Sequence, residues 1–364
     1  MAKFDNIKRD KLREREVFDR FVGVLQHLDV TKDLIHSNAH EKSRMALILL
    51  HSLVEGLMYS EVIKEFDSDI YFSRIVPPKY SARDRKNILR FFDEKIDLCF
   101  TKIRIVSEQD AKIFKILNFY RNVAYHRNSH NPNVVSAIAR SAFHAGLRLF
   151  ERTAVGWGGV GGQIQKEISI LSRYCKVESF IDYGELSKAI ALRFSKELPI
   201  SHGEIRSALI NDITTRLKNL GKMKKESLYC KSKCKLDKLL KKAAFELEGI
   251  DDKLYSEVKQ LNYRIAKKVP GGEPKREEYL LAKNRYSEKL KKSYDSFKPP
   301  VSVKTFDFIN NELQTLATKT SLEVVLSQYL EIDKLLVEVE DLFTHAKHRI
   351  DETIQFQIDL ERGK

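Results

Sequence analysis

The sequence has little of what marks fibrous, disordered or membrane-spanning chains. Glycine and proline account for only 15 and 8 of its 364 residues, which excludes collagen-like and low-complexity proteins. The longest uninterrupted apolar run, residues 45–50, is far shorter than the roughly 18 residues of a membrane span. The N-terminal residues contain no apolar signal core. We therefore expect a cytoplasmic protein without a membrane partner.

Cysteine is also scarce, with four residues at positions 99, 175, 230 and 234. They are too few and too scattered for a disulfide framework in a chain of this length. Cys230 and Cys234 are close enough to share one helix face, but no other Cys or His lies within twenty residues of them. Because a tetrahedral zinc site needs four ligands, the sequence predicts no metal, and it predicts no other cofactor.

Hydrophobic residues make up 42% of the chain, enough for buried cores, and the formal net charge is +14. Residues 111–150 contain six Lys or Arg and no Asp or Glu. Residues 216–242, the basic segment, contain eleven Lys or Arg against two acids. An excess of this kind favours a polyanionic partner such as RNA. The alternative is that the basic segment packs beside the acidic run between residues 331 and 341.

Hydrophobic residues recur with a period of about 3.6 along nearly the whole chain, and no segment alternates polar and apolar residues. The sequence therefore predicts an all-α fold. In the N-terminal half we expect helices over residues 4–28, 41–66, 82–104, 108–128 and 133–154. Ser81 with Asp84 is an N-cap signal for the third helix, and Pro132 interrupts the chain after the fourth.

Five of the fifteen glycines fall in the segment GWGGVGG, residues 156–162. We interpret this segment as a hinge. It would separate an N-terminal helical bundle, residues 1–155, from a partly coiled-coil-like helical region, residues 163–364. A phosphate-binding loop would be followed by Lys and Ser or Thr at the start of a helix, and neither follows here. The C-terminal region would serve RNA binding, regulation or assembly.

The last predicted helix carries a hydrophobic seam, with apolar residues at alternating steps of three and four. Such a seam must be buried against another helix, either of this chain or of a second copy. The alternative is that a partner protein docks on it. Its members are Leu322, Val325, Tyr329, Ile332, Leu336, Val339, Phe343, Ala346 and Ile350.

The fourth helix reads IFKILNFYRNVAYHRNSH over residues 113–130. At 100° per residue its apolar side chains share one face: Ile113, Ile116, Leu117, Tyr120, Val123 and Ala124. The opposite face is polar and carries Arg121, Asn122, Tyr125, His126 and Ser129. Phe114 and Phe119 border this polar face, which is unusual for a face that meets only water. We expect a second copy of the chain to cover it.

Arg121 is followed directly by Asn122, and His126 is preceded directly by Tyr125, near the end of an apolar helix. This arrangement resembles the HEPN superfamily, small helical bundles found in prokaryotic RNases and toxins. The superfamily motif is an Arg, a polar residue, a few others and a His, and residues 121–126 fit the form with four residues between Arg and His. The resemblance covers about residues 1–155. It implies that Arg121 and His126 are catalytic, that Asn122 fills the polar position, and that a homodimer or higher oligomer brings two motifs together.

The resemblance further implies a metal-independent endoribonuclease, in which the ribose 2′-OH attacks the adjacent phosphate and a 2′,3′-cyclic phosphate results. The residue types suit this chemistry. His exchanges protons near neutral pH, and Arg offers a permanently charged fork to phosphate oxygens. Asn122 is suited to a ribose hydroxyl or a phosphate oxygen, and Tyr125 to stacking on a base. A toxin or anti-phage defence effector of this kind would be restrained by an antitoxin or another regulatory partner.

Further candidates for RNA binding are Arg127, His130, Glu55, Lys231, Lys233 and Lys235. Glu55 lies on one stripe of the second helix with His51 and Tyr59, where it either orients Arg121 or faces water. Two alternatives stay open. Cations near a helix C-terminus are favoured by the helix dipole whatever the function. The protein could also be a non-catalytic helical scaffold that binds RNA through the basic segment.

Overall fold

The computed structural model describes residues 2–37, 39–126, 131–157, 159–161, 169, 171–174, 180–226, 233–249, 276–299 and 302–361. Within these ranges the regular structure is helical apart from two three-residue strands, β1 (Gly159–Gly161) and β2 (Phe180–Asp182). The strands pair antiparallel, with Gly159 opposite Asp182. The all-α fold predicted from the hydrophobic period is confirmed.

Among the described residues, six α-helices precede the strands and six follow them. The first six are α1 (Ala2–His36), α2 (His40–Phe72), α3 (Ala82–Arg90), α4 (Phe92–Leu98), α5 (Glu108–His126) and α6 (Pro132–Val155). A five-residue π-helix, Cys99–Ile103, continues α4. The other six are α7 (Tyr183–Glu197), α8 (His202–Glu226), α9 (Lys233–Leu247), α10 (Arg276–Ser296), α11 (Val303–Thr318) and α12 (Leu322–Glu361).

Two helix starts follow the signals in the sequence. The Asp84 N–H donates to Ser81 Oγ, and the Ser81 N–H donates to the Asp84 carboxylate, which forms a capping box at α3. Pro132 is the first residue of α6, where its missing N–H costs nothing. Asn131 caps this helix, because its side chain accepts a hydrogen bond from the Asn133 N–H.

The predicted helix over residues 82–104 is instead two helices and a π-helix. Phe91 has an extended backbone between α3 and α4, and Arg104 ends the π-helix in the left-handed conformation, with φ of 62°. Lys95 Nζ donates to the Leu89 carbonyl across the break at 2.8 Å. This bond satisfies a carbonyl that the end of α3 leaves without a helical partner.

The chain divides into two compact units. The first comprises Met1–Asp212 with Lys319–Tyr329, and the second comprises Ile213–Thr318 with Leu330–Lys364. In the first unit α2 and α6 pack against each other, α1 and α5 pack against both, and α7 packs against α6. Sixteen of the 24 residues of α6 are buried, most of them apolar or small, so this helix can be enclosed on nearly every side.

Helix α2 is the other central helix of the first unit. Of the described helices, it alone has the length and apolar composition of a membrane span, and half of that stretch is buried inside the protein. Core residues Leu50 and Val54 on α2 are fully buried, as are Phe143 and Phe150 on α6. The apolar character of α2 is thus used for packing within the unit.

The glycine-rich segment at 156–162 lies inside the first unit. Trp157 packs edge-on against Phe21 and Phe150, with ring centroids 6.0 and 6.2 Å apart, and β1 pairs with β2 shortly after it. These contacts hold the described part of the segment against α1 and α6. The two units therefore divide at residues 212/213, 318/319 and 329/330, whereas the sequence pattern predicts the division at 156–162.

The hydrophobic seam of α12 is buried within the chain. Its members from Leu322 to Ala346 are each at most 6% exposed, and the side chain of Ile350 lies outside the described part of the structure. The seam serves as packing, as its pattern predicts. Its described side chains are covered and offer no exposed stripe on which a partner protein could dock.

Candidate active site

Helix α5 carries the Arg121 motif and is fixed at its start by polar contacts. Ser107 Oγ accepts a hydrogen bond from the Asp110 N–H at 3.1 Å, and the buried Asp110 carboxylate accepts two from the Arg148 guanidinium at 2.9 and 2.6 Å. The predicted apolar face is buried at its four described positions, each at most 4% exposed: Ile113, Ile116, Leu117 and Tyr120. Packing of this face fixes the direction in which the polar face points.

Arg121 and Asn122 lie together near the end of α5. Arg121 Nη1 donates to Asn122 Oδ1 at 2.9 Å. Arg121 is half-buried and Asn122 is exposed. The backbone of α5 continues to His126, which places this residue about 7.5 Å further along the helix axis and about 140° around it. The side chains of Tyr125 and His126, and the whole of Arg127 and His130, lie outside the described part.

The helical wheel predicts that Phe114 lies at an exposed border. This prediction is wrong, because Phe114 is fully buried. Helices α2, α4 and α6 all pack against α5, so a wider arc is covered at the start of α5 than its apolar pattern indicates. Phe119, one turn later, is half-buried and meets Tyr120 edge-on, with ring centroids 5.3 Å apart. Of the two phenylalanines, only Phe119 remains a candidate for contact with a second copy.

A hydrogen-bonded chain of three side chains lies beside the motif and joins α2, α4 and α5. Asn118 Nδ2 donates to Asp93 Oδ1 at 3.1 Å. Asn118 Oδ1 lies 3.1 Å from Nε2 of His51, a buried residue of α2. Because the amide nitrogen is used on Asp93, the amide oxygen accepts a hydrogen bond from His51 Nε2–H. Nδ1 of His51 then keeps its lone pair and is the basic atom of the ring.

The second polar contact of this region is an ion pair between α2 and α4. Glu55 Oε1 lies 3.0 Å from Lys95 Nζ, and Glu55 Oε2 lies 3.8 Å from Nδ1 of His51. The Lys95 side chain is 1% exposed, whereas that of Glu55 is 39% exposed. Of the two roles that its stripe leaves open, orienting Arg121 or facing water, the contacts of Glu55 match only the second, and they add a role that the stripe does not predict. It faces water in part, and it neutralises a buried ammonium group.

The ring of His51 stacks on Phe92, with centroids 4.1 Å apart and planes 23° from parallel. Burial lowers the pKa of His51 below its ordinary value of 6.5, and the positive charge of nearby Arg121 lowers it further, against the opposing charge of Glu55. The imidazole is therefore neutral at pH 7. A neutral imidazole beside a guanidinium combines a proton acceptor with a fixed positive charge.

Sequence patterns missed three members of this cluster: Asp93, Lys95 and Asn118. In the sequence, Lys95 and Asp93 resemble ordinary charged residues of an amphipathic helix. Asn118 resembles an ordinary polar residue between Leu117 and Phe119. The one available signal is that Lys95 stands directly before the buried Ile96, three residues after the buried Phe92. A helix position beside such an apolar pair is often partly covered.

Among the described residues, no group of three or more His, Cys, Asp or Glu side chains is arranged to hold a metal ion. Cys230 and the side chain of Cys234 lie outside this part. Comparison of the chain with models of protein families, with curated proteins and with solved structures found no match.

In the second unit, the first residue of the basic segment faces an acidic pair on α12. Arg216 donates to both carboxylate oxygens of Glu340 at 2.8 Å and also bonds Asp333. Burial alone would lower the pKa of Arg216, but the bonds from Glu340 and Asp333 raise it above its ordinary value. Packing beside the acidic run thus accounts for this residue. Lys231 and the side chains of Lys233 and Lys235 lie outside the described part.

Proposed function

We propose that the chain is a metal-independent endoribonuclease of the HEPN type that cleaves RNA by attack of a ribose 2′-OH on the adjacent phosphate. The single observation that carries this proposal is the pairing of Arg121 with Asn122 beside neutral His51, one helical turn before His126. The resemblance of residues 121–126 to the superfamily motif supplies the reaction type.

In the proposed reaction the 2′-oxygen forms a bond to phosphorus and the bond from phosphorus to the 5′-oxygen breaks. The 2′-OH proton passes to a base, and the leaving 5′-oxygen takes up a proton. The products are a 2′,3′-cyclic phosphate and a 5′-OH. His126 exchanges these protons, and Arg121 stabilises the charge that builds on the phosphate oxygens. Asn122 holds a ribose hydroxyl or a phosphate oxygen.

The proposal extends to assembly and biological role by the same resemblance. Two motifs meet across a cleft between two copies, and the enzyme acts as a toxin or anti-phage defence effector that a partner protein restrains. Support for assembly comes from the half-buried Phe119, which lies two residues before Arg121 on α5. In this role the RNase acts in the cytoplasm, where its RNA substrates are.

The test is cleavage of total RNA by the purified protein in the presence of EDTA. We expect wild-type protein to cut under these conditions and to leave 2′,3′-cyclic phosphate ends. Arg121→Ala and His126→Ala should each lower the cleavage rate at least a hundredfold, a typical loss for one electrostatic or acid–base group. Arg20→Ala and His36→Ala, two exposed residues of α1, are the matched controls and should cut at the wild-type rate.

Two results would remove the proposal. Cleavage that requires added magnesium would replace the metal-independent mechanism. Absence of cleavage, combined with RNA binding that survives in Arg121→Ala, would favour the non-catalytic RNA-binding scaffold. The circular dichroism spectrum of each variant must match that of the wild type, which excludes unfolding as the cause of a lost activity.

A further inference from the structure

The end of α2 and the turn after it expose five large apolar side chains within seven residues, here called the apolar tip. They are Ile70, Tyr71, Phe72, Ile75 and Val76, which are 51%, 68%, 54%, 82% and 60% exposed. Exposed apolar residues scattered singly are ordinary, but a contiguous group marks an interaction surface. The polar residues of the candidate active site do not include any member of this group.

The apolar tip is a defined turn. Ile75 and Val76 each donate a backbone hydrogen bond to the Phe72 carbonyl, at 2.9 and 3.0 Å. Directly after Pro77 and Pro78 the chain is tied back to α2, because the Asp69 carboxylate accepts hydrogen bonds from the N–H groups of Lys79 and Tyr80 at 2.8 and 3.3 Å. The hydrogen bond from Lys79 lowers the pKa of Asp69 below its ordinary value. The apolar side chains are thus presented by a backbone that is held closed.

The surroundings of the apolar tip are positively charged. Asp69 also pairs with Arg85 at 2.8 Å, which holds α3, with its exposed Arg83 and Lys86, beside the end of α2. Residues 67–91 contain six Lys or Arg and three Asp, a net charge of +3. Asp69 binds Arg85, Lys79 binds Glu65 and Asp84 caps α3, so the exposed Arg74, Arg83 and Lys86 supply the positive charge of this border. A cationic rim around an apolar centre fits an anionic partner and repels a second copy of itself.

The spread of the apolar side chains around the helix distinguishes a fluid lipid layer from a rigid protein face as the partner. Ile70, Tyr71 and Phe72 are consecutive helical residues, so their side chains spread over about 200° of the helix circumference. A rigid protein face contacts a narrower stripe of a helix, of roughly 100°. An acyl layer closes around an inserted turn on all sides, and Lys or Arg at its border meet the lipid headgroups.

We propose that the apolar tip inserts into the surface of an anionic lipid bilayer, with Arg74, Arg83 and Lys86 at the headgroups. The protein would be attached to the membrane surface without spanning it, so no long apolar segment is needed. This departs from the expectation of no membrane partner, which rests on the absence of an uninterrupted apolar run of that length. The attachment is independent of the proposed RNA cleavage.

The test is flotation of the purified protein with vesicles of phosphatidylcholine, alone or mixed with phosphatidylserine. We expect binding to the mixed vesicles only, weakened by added salt. The double variant Ile75→Ser, Val76→Ser should lower the partition coefficient at least tenfold, because two apolar side chains leave the contact. Arg83→Glu with Lys86→Glu should also weaken it. Leu192→Ser, a residue of α7 that is 59% exposed, is the matched control and should bind like wild type.

Thermal unfolding should be unchanged in these variants, because all the altered side chains are exposed. Failure of wild type to float with mixed vesicles would overturn the proposal, as would equal binding by the Ile75→Ser, Val76→Ser variant. If that variant instead shifts the mass in light scattering toward monomer, the apolar tip is a contact between copies. If this variant instead loses affinity for RNA, the apolar tip is part of the RNA-binding surface.

Discussion

His51 and Asn118 are joined through Nε2 and Oδ1 at 3.1 Å, and this contact fixes which ring nitrogen of His51 carries the proton. Asn118 can turn only its oxygen to the ring, because its nitrogen is bonded to Asp93. The ring therefore carries its proton at Nε2, and burial against Phe92 lowers its pKa, which keeps it neutral at pH 7. Protonation at Nδ1 would add a third positive charge to those of Arg121 and Lys95, opposed by the partly exposed Glu55.

The stability of the first unit should fall as the pH drops below about 6.5. Burial lowers the pKa of His27, His51 and His144 from the ordinary value of 6.5. The unfolded chain therefore takes up protons near this pH that the folded chain binds only at lower pH. The stabilising contribution is fully present above pH 6.5 and is lost as the pH falls toward the folded pKa values.

Thermal unfolding followed at about pH 7.5 and about pH 5.5 measures this loss. His144→Gln should reduce the drop, since Gln can still donate to the Leu198 carbonyl that His144 Nε2 meets at 2.7 Å. His36→Gln, at an exposed residue of α1, should leave the drop unchanged. A midpoint that is equal at the two pH values, or higher at the acidic one, would contradict the prediction.

Removal of Glu55 should destabilise the protein more than removal of its partner Lys95. Glu55→Ala leaves a buried ammonium with the Leu89 carbonyl as its remaining described partner, which should cost about 2–4 kcal/mol. Lys95→Met leaves a carboxylate that water reaches and fills the site with an apolar chain, so we expect a cost of about 1 kcal/mol. Urea unfolding measures both, with exposed Glu16→Ala as the control. The reverse order would mean that Lys95 is stabilised by other groups.

Local features of this fold can be predicted from the sequence because each depends on neighbouring residues. The capping box at Ser81, the start of α6 at Pro132 and the buried face of α5 are of this kind. The seam of α12 is also local, since one helix carries the whole pattern. In each case the residues that decide the structure lie within a few turns of one another.

Features that depend on distant residues were not predictable in this way. The cluster of His51, Asp93 and Asn118 is assembled from three helices, and no periodicity along one helix reveals it. The helical wheel places Phe114 at an exposed border because it contains no information on how many neighbours surround the helix. The glycines of 156–162 predict a hinge there, whereas Trp157 packs against Phe21 and Phe150.

Assembly of the proposed RNase can be tested at Phe119. Phe119→Glu places a charge on the half-buried side chain nearest the motif, and it should shift the mass in light scattering from dimer toward monomer while the helix content stays the same. Phe100→Glu, at a phenylalanine of the same unit that is 37% exposed, is the control. Wild-type protein that is monomeric at working concentration and still cuts RNA would exclude the shared cleft.

The remaining charge of the basic segment can be assigned by reversing Lys231, Lys233 and Lys235 to Glu. Arg216 pairs with Glu340 and Asp333 and is excluded from this test. For the three lysines we expect RNA contact. RNA binding should weaken, and the log–log slope of affinity against salt should flatten by roughly one unit for each lost phosphate contact.

The stability of the triple variant distinguishes RNA contact by these lysines from packing of the lysines on the acidic run. Exposed charges contribute little to the free energy of unfolding, so the triple variant should melt like wild type if its lysines meet RNA. If the lysines instead pack beside Glu338, Glu340 and Asp341, the substitutions would place glutamates next to these acidic side chains, and the like charges would repel. The melting temperature would then fall while the salt slope for RNA stayed the same. The double variant Lys291→Glu, Lys292→Glu changes two exposed positions of α10 and measures the effect of added negative charge alone. It should change both the melting temperature and the salt slope for RNA less than the triple variant does.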